Sequence, residues 1–89
     1  MTPTQVIAAI RIGIIDAENR FQSGGCFQLY RILKQLFPQA VALYNGNHVF
    51  TQIDGLAYDI NGSYEINPRW TRLEDEPMIF AKAHEWDFR

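Results

Sequence analysis

The fold is decided by residues 48–61, which read HVFTQIDGLAYDIN. Asp54-Gly55 is one of the residue pairs that most strongly favour a two-residue turn between antiparallel strands. β-Branched and aromatic residues stand on both sides of this pair, as is typical of strands. The stretch therefore predicts a β-hairpin with strands over residues 48–53 and 56–60.

The hairpin turn also fixes which side chains share a face of the sheet. With Asp54-Gly55 as the two loop residues, His48 lies opposite Asn61, two positions beyond Asp59. His48 and Asp59 are then diagonal neighbours on one face, about 7 Å apart at the backbone, which an imidazole and a carboxylate can bridge. The other face is more apolar and carries Val49, Thr51, Ile53, Leu56, Tyr58 and Ile60. A register slip of one residue would place His48 and Asp59 on opposite faces.

Two helices and further strands complete the predicted fold. Apolar residues recur at helical spacing over residues 3–21 and again over residues 26–37. Residues 41–44 form another predicted strand, and residues 64–66 can extend the sheet. The sequence therefore predicts an α+β fold in which two helices pack on a three- to four-stranded antiparallel sheet.

The first predicted helix has an unusually wide apolar face. Ile12 and Ile15 lie beside the regular apolar stripe and widen it. Such a face suggests a helix that packs on two sides or that meets a second subunit. A homodimer formed through the first helix is therefore one expectation.

The C-terminal part of the chain, from residue 63 onward, carries weaker signals. A proline opens a short predicted helix over residues 77–84. Trp70, Trp86 and Phe88 are expected to hold this part on the rest of the molecule. His84 stands beside an acidic residue and is expected at the surface.

Length and composition limit the function classes. The 89-residue chain is expected to form a single domain, residues 1–89. The net charge is −2 and the eight Lys and Arg residues are scattered, which disfavours nucleic-acid binding. No segment approaches the roughly 20 apolar residues that a membrane span needs. The single cysteine excludes an internal disulfide, and with no secretory leader in the sequence the expected location is the cytoplasm.

Cys26 is the candidate nucleophile. It follows Gly24-Gly25 and opens the second predicted helix, where backbone N–H groups and the helix dipole favour a thiolate. His48 is the candidate base, and Asp59 or Asn61 would orient its ring. Nucleophile, base and orienting group thus follow one another along the chain, and if their side chains converge they supply the groups that a cysteine hydrolase or transferase uses.

Each of these residues also has a plainer interpretation. A lone cysteine is most often a small buried hydrophobe, and a lone histidine next to a turn is most often at the surface. Gly24-Gly25 is a weak signal for phosphate binding, because no fuller motif with Lys or Ser/Thr surrounds it. His48 and His84 lack the local spacing of metal ligands, so neither a metal nor a cofactor is expected.

The packing of the second helix decides whether the three groups meet. Cys26 belongs to the apolar stripe of this helix, so its side chain should point at the sheet. The site forms if the N-terminus of this helix docks over the His48 end of the hairpin and Cys26 points towards the face that carries His48 and Asp59. The opposite, more apolar face would then contact the first helix, the C-terminal part or a partner.

Gly24-Gly25-Cys26 at the start of a helix, followed by the strand–turn–strand segment 48–59, resembles the minimal core of the papain-like superfamily. The resemblance is closest to its transglutaminase-like and bacterial cell-wall cysteine peptidase branches. It implies that Cys26 is the nucleophile, His48 the base and Asp59 the group that orients the base.

The resemblance departs from the papain-like pattern at the oxyanion hole. Gln22 stands nearer to Cys26 than the oxyanion-hole glutamine of that pattern does. The oxyanion would be stabilised by the backbone N–H of Cys26 together with a second donor that the sequence does not identify.

Two function classes remain open on the sequence. The first is thiol-based acyl chemistry on an amide or ester, as in a cysteine peptidase, amidase or transglutaminase, with a peptide, a glutamine amide or an isopeptide as substrate. The alternative is a non-catalytic protein-interaction module, or small accessory protein, that keeps the fold and binds a partner. The first is the leading hypothesis, and the short chain, which leaves little room for a substrate cleft, keeps the alternative close behind it.

Overall fold

The computed structural model describes residues 1–22, 25–46 and 48–83, and the fold is described for these residues. The helices are α1 (Pro3–Gly13), α2 (Ala17–Gln22), α3 (Cys26–Leu36) and α4 (Pro77–Ala83), with a 3-10 helix over Leu73–Asp75. The strands are β1 (Val41–Tyr44), β2 (Val49–Ile53), β3 (Leu56–Asp59), β4 (Gly62–Tyr64) and β5 (Thr71–Arg72). The predicted α+β class with helices on an antiparallel sheet is confirmed.

The sheet is antiparallel throughout, with the strand order β4-β3-β2-β1-β5. The β2–β3 hairpin has the predicted register, because Thr51 pairs with Tyr58 and Gln52 pairs with Ala57. Its turn is Asp54-Gly55, where φ is 50° and 89°. Positive φ at both central residues is what the favoured two-residue hairpin turn requires.

The first predicted helix is interrupted, so the prediction of one helix over residues 3–21 is wrong. The helix α1 ends at Gly13, Ile14 is extended, and Asp16 has φ 60° before α2 begins. Glycine and the two isoleucines that follow it have lower helix propensity than Ala or Leu. The carboxylate of Asp16 also accepts a hydrogen bond from Asn19 Nδ2 at 2.9 Å, which stabilises the start of α2.

Helices α1, α2 and α3 cover one face of the sheet. The buried residues of this layer are Val6, Ile7, Ala17, Phe21, Leu29, Leu33, Ala40, Ile53, Tyr58 and Ile60. A second cluster at the N-terminal end of α3 contains Cys26, Phe27, Ala42, Val49 and Leu73. The condition that Cys26 points towards the face of His48 and Asp59 is therefore not met by the packing of α3. The helix covers the opposite and more apolar face, since this removes more apolar surface from water.

The other face of the sheet carries a smaller apolar cluster around Phe50. Its members are Leu43, Phe50 and Ala57, with Val41, Ile66 and Trp70 packed against them. The rings of Phe50 and Trp70 are stacked, with centroids 4.4 Å apart. Trp70 therefore holds the chain after β4 on the sheet, as predicted, whereas His84, Trp86 and Phe88 lie outside the described residues.

The C-terminal helix α4 begins at Pro77, as the sequence predicts. Its Phe80 ring meets the ring of Phe27 edge-on, with centroids 5.9 Å apart, so α4 packs beside α3. No helix within the described ranges is both long enough and apolar enough to span a bilayer.

Candidate active site

Three elements meet at one end of the sheet. Cys26 is the first residue of α3, His48 immediately precedes β2, and Asp59 ends β3. Because His48 lies at the end of the sheet rather than within a strand, its side chain reaches the thiol even though α3 packs on the opposite face. The three groups therefore come together at the His48 end of the hairpin, although α3 covers the opposite face of the sheet.

The thiol of Cys26 is surrounded by hydrogen-bond donors. The residue is buried, with 5% of its surface exposed. The N–H of Val49 donates to Sγ at 3.4 Å, and the N–H of Phe27 also interacts with the sulfur. Gly25 at the N-cap provides no side-chain cap, so the N-terminal amides and the dipole of α3 act on the thiol.

The imidazole of His48 lies between the thiol and a carboxylate. Its Nε2 lies 3.3 Å from Oδ2 of Asp59, and the two side chains are 17% and 6% exposed. Because Nε2 contacts Asp59, Nδ1 is the ring nitrogen left for the thiol of Cys26, whose interaction with His48 shifts the pKa of both groups. Cys26, His48 and Asp59 are therefore grouped at one end of the sheet, with a hydrogen bond between His48 and Asp59.

The carboxylate of Asp59 is fixed by the backbone of Asn61. The N–H of Asn61 donates to Oδ1 at 2.8 Å. Asn61 is exposed and lies in the turn between β3 and β4, because Asp59 already pairs with Gly62. Asn61 therefore contributes a backbone group to the site, and its side chain does not lie opposite His48 as the extended hairpin register predicts.

The electrostatics of the site favour charge separation. Burial raises the pKa of the Cys26 thiol, but hydrogen bonds from His48 and from the Val49 N–H outweigh burial and lower this pKa below its ordinary value of 9.0. The hydrogen bond to Asp59, followed by the hydrogen bond to Cys26, raises the pKa of His48 to about 9. Both shifts favour a thiolate beside an imidazolium at neutral pH.

Aromatic rings hold the imidazole in place. The ring of His48 meets Phe50 edge-on, with centroids 4.7 Å apart, and Tyr64 contacts Phe50 with centroids 5.4 Å apart. Burial, followed by the negative charge of Asp59, raises the pKa of Tyr64. The Tyr64 phenol therefore lies close to the carboxylate that orients His48.

Sequence reasoning missed two groups of this site, the N–H of Val49 and the ring of Tyr64. A backbone donor leaves no signal in the residue type, since every residue except proline has one. Tyr64 pairs with Ala57, which shares a face with Asp59. Extending the hairpin register into a fourth strand would have placed Tyr64 on that face.

Two further interpretations concern residues that lie close to Cys26 along the sequence. Gly24 and the side chain of Gln22 lie outside the described part of the chain, so the phosphate and oxyanion-hole interpretations of these residues remain expectations. Among the residues that are described, no three His, Cys, Asp or Glu side chains are grouped to hold a metal ion.

Helices over an antiparallel sheet, with a Cys-His-Asp group at the sheet end, define a small α+β protein with a thiol-based candidate site. Residues 4–88 match the model of the family described as Phage YunG-like protein, and the chain belongs to this family. Comparisons with curated proteins and with solved structures found no match.

Proposed function

We propose that this protein is a thiol-dependent hydrolase or acyltransferase that acts on an amide or ester, as the papain-like enzymes that its sequence resembles do. The observation that supports the proposal is the grouping of Cys26, His48 and Asp59 at the N-terminus of α3, in which His48 contacts Asp59 at 3.3 Å and the interaction between Cys26 and His48 shifts the pKa of both. Peptides, glutamine amides and isopeptides are the candidate substrates. The chemistry depends on a reduced thiol and therefore fits a cytoplasmic location.

Each group has a defined part in the proposed reaction. The thiolate of Cys26 attacks the carbonyl carbon, which forms a C–S bond and an oxyanion. The imidazolium of His48 then gives its proton to the leaving amine or alkoxide as the C–N or C–O bond breaks. Water or an acceptor amine attacks the resulting thioester while His48 takes its proton, the C–S bond breaks, and the thiolate of Cys26 is released beside the imidazolium. Asp59 keeps Nδ1 of His48 directed at the sulfur throughout.

Alkylation by iodoacetamide tests the proposal. At about pH 6.5 we expect Cys26 to react at least about tenfold faster in the wild-type protein than in His48→Ala. Loss of the imidazole returns the thiol pKa towards its ordinary value, so less thiolate is present. Because Cys26 is 5% exposed, each native rate is compared with the rate of the same protein in urea.

Asp59→Asn and Asn61→Ala form a matched pair of controls. Asp59→Asn should slow alkylation, since an amide stabilises the imidazolium less than a carboxylate does. Asn61→Ala should leave the rate unchanged, because Asn61 acts through its backbone N–H. Equal rates for wild type and His48→Ala, or labelling that occurs only in urea, would contradict the proposed function.

Binding of a second copy of the chain is a second candidate function. It is a form of the non-catalytic interaction module that the sequence leaves open as the alternative to an enzyme. The observation that favours it is that Ile12 and Ile15 are 87% and 88% exposed. Helices α1 and α3 also enclose an apolar groove of about 400 Å³, lined by Met1, Val6, Ala9, Ile10, Gly13, Ile14, Ile32 and Leu36. Projecting isoleucines and a groove on the same helical layer allow two copies to pair symmetrically.

A further inference from the structure

Another groove lies beside the candidate site, between the end of β1 and the segment that leads into α4. Its volume is about 400 Å³. Tyr44, Arg69, Thr71, Glu76 and Ile79 are among the residues that line it. None of these residues takes part in the proposed acyl chemistry.

Tyr44 connects this groove to the thiol. Tyr44 pairs with Val49 across the sheet, and the N–H of Val49 donates to Sγ of Cys26. Tyr44 and Ile79 also pack against the apolar cluster that contains Cys26. Tyr44, which lines the groove, therefore lies one strand spacing, about 5 Å, from the residue whose N–H holds the nucleophile. A substrate that fills this groove and extends across Tyr44 would run towards the end of the sheet that carries Cys26.

The walls of the groove carry one positive and one negative side chain. Arg69 is exposed and Glu76 is half-buried. Within the described residues neither side chain forms an ion pair, whereas Arg11 and Arg72 are both paired with glutamates. Both charges are therefore available to a ligand, and the rings and methyl groups of Tyr44 and Ile79 add apolar surface.

We propose that this groove binds a part of the substrate that carries a positive and a negative group close together, such as neighbouring basic and acidic side chains of a peptide. The inference rests on the proposed function, because it assigns the groove to the substrate of Cys26. Glu76 binds the cationic group and Arg69 binds the carboxylate. A segment with two like charges places one of them beside Arg69 or Glu76 of the same sign, so binding of such a segment is disfavoured.

Binding is tested without the reaction, in Cys26→Ser. The protein is titrated with acetyl-Lys-Asp-amide, and with the corresponding Ala-Ala, Lys-Lys and Asp-Asp compounds, while the NMR signals of the Gly46 and Thr71 amides are followed. We expect the Lys-Asp compound to bind most tightly. Arg69→Gln and Glu76→Gln should each weaken its binding about threefold to fivefold, the effect of one exposed charge pair.

Arg31→Gln and Glu65→Gln are the charge-matched controls. Both residues are exposed and neither lines the groove, so these variants should bind the Lys-Asp compound as the parent protein does. Equal affinity for the four compounds would overturn the proposal. Binding of the Lys-Asp compound that Arg69→Gln and Glu76→Gln leave intact would overturn it as well.

Bromoacetyl versions of the same dipeptide amides test whether a ligand bound in the groove is directed to the thiol of Cys26. The Lys-Asp version should alkylate wild-type Cys26 faster than the Ala-Ala version, and Arg69→Gln and Glu76→Gln should remove this difference. If iodoacetamide reports an activated thiol but the dipeptide probes react equally, the groove assignment fails and the proposed function stands. If the Lys-Asp compound binds selectively while the thiol is inert, the proposed function fails and the groove remains a peptide-binding site.

Discussion

Folding shifts the pKa values of Cys26 and His48 in opposite directions. In the unfolded chain at about pH 7.5 the thiol holds a proton and the imidazole does not, because their ordinary pKa values are 9.0 and 6.5. In the folded protein the pKa of Cys26 is lowered and that of His48 is raised to about 9, and both changes favour the proton on the imidazole. The two shifts therefore oppose each other in the pH dependence of the unfolding free energy.

The variant Cys26→Ala should show how His48 alone makes the unfolding free energy depend on pH. Asp59, the largest cause of the raised pKa of His48, is retained in this variant. The stability that the histidine adds is then complete below pH 6.5 and is lost as the pH rises through its folded pKa, by up to about 1.4 kcal/mol per pH unit. Urea unfolding between about pH 6 and 9 should show a steeper fall in Cys26→Ala than in wild type. Parallel curves for the two proteins would mean that the pKa shifts of the thiol and the imidazole do not oppose each other.

Part of the candidate site could be predicted from the sequence, because the tight hairpin turn fixes the pairing register of β2 and β3. Asp54-Gly55 places His48 and Asp59 on one face without any knowledge of the rest of the fold. Asn61 could not be placed in this way, since the chain bends into β4 directly after Asp59. The face of the sheet that Cys26 contacts could not be predicted, because a helix stripe shows that a side chain is buried, not which surface buries it.

The β2–β3 hairpin positions two of the three site groups, so its turn controls the site. Gly55 has φ +89°, a conformation that strains other residues, although no atom would lie within 4 Å of an added Cβ. Gly55→Ala should therefore lower the unfolding free energy by about 1 kcal/mol through backbone strain alone. Urea unfolding measures this change.

Gly13→Ala is the matched control for the hairpin substitution. An added Cβ at Gly13 also meets open space, but this glycine is the last residue of α1 and has no positive φ. Alanine is favoured in a helix, so Gly13→Ala should raise the unfolding free energy by about 0.5 kcal/mol. A similar loss of stability in both variants would show that φ at Gly55 is not the cause.

The elements differ in how clearly the sequence reveals them. The strands β2 and β3 are flanked by a strong turn signal, and α3 has a complete apolar stripe, so their positions follow from the residues. The two-residue strand β5 is too short to show an alternating pattern. The break after α1 is also weakly marked in the sequence. Isoleucines at helical spacing continue through it, and the residue with the left-handed φ is Asp16 rather than a glycine.

At the scale of the whole molecule, the exposed isoleucines of the helical layer predict self-association. We expect wild-type protein at about 100 μM to be a dimer by size-exclusion chromatography with light scattering. The double variant Ile12→Lys, Ile15→Lys should be monomeric, because the charges cannot be buried in a symmetric interface. Met78→Lys is the control, since Met78 is 79% exposed on α4 and does not line the apolar groove. Monomeric wild-type protein at this concentration would remove the second candidate function.

Both outermost strands of the sheet are short. The strand β4 has three residues and β5 has two, so the native protein presents few free backbone N–H and C=O groups along its sheet edges. A foreign strand finds little to pair with at either edge, which protects the folded chain against fibril growth by strand addition. Fibrils that form on heating would therefore have to start from molecules that have already lost their tertiary structure.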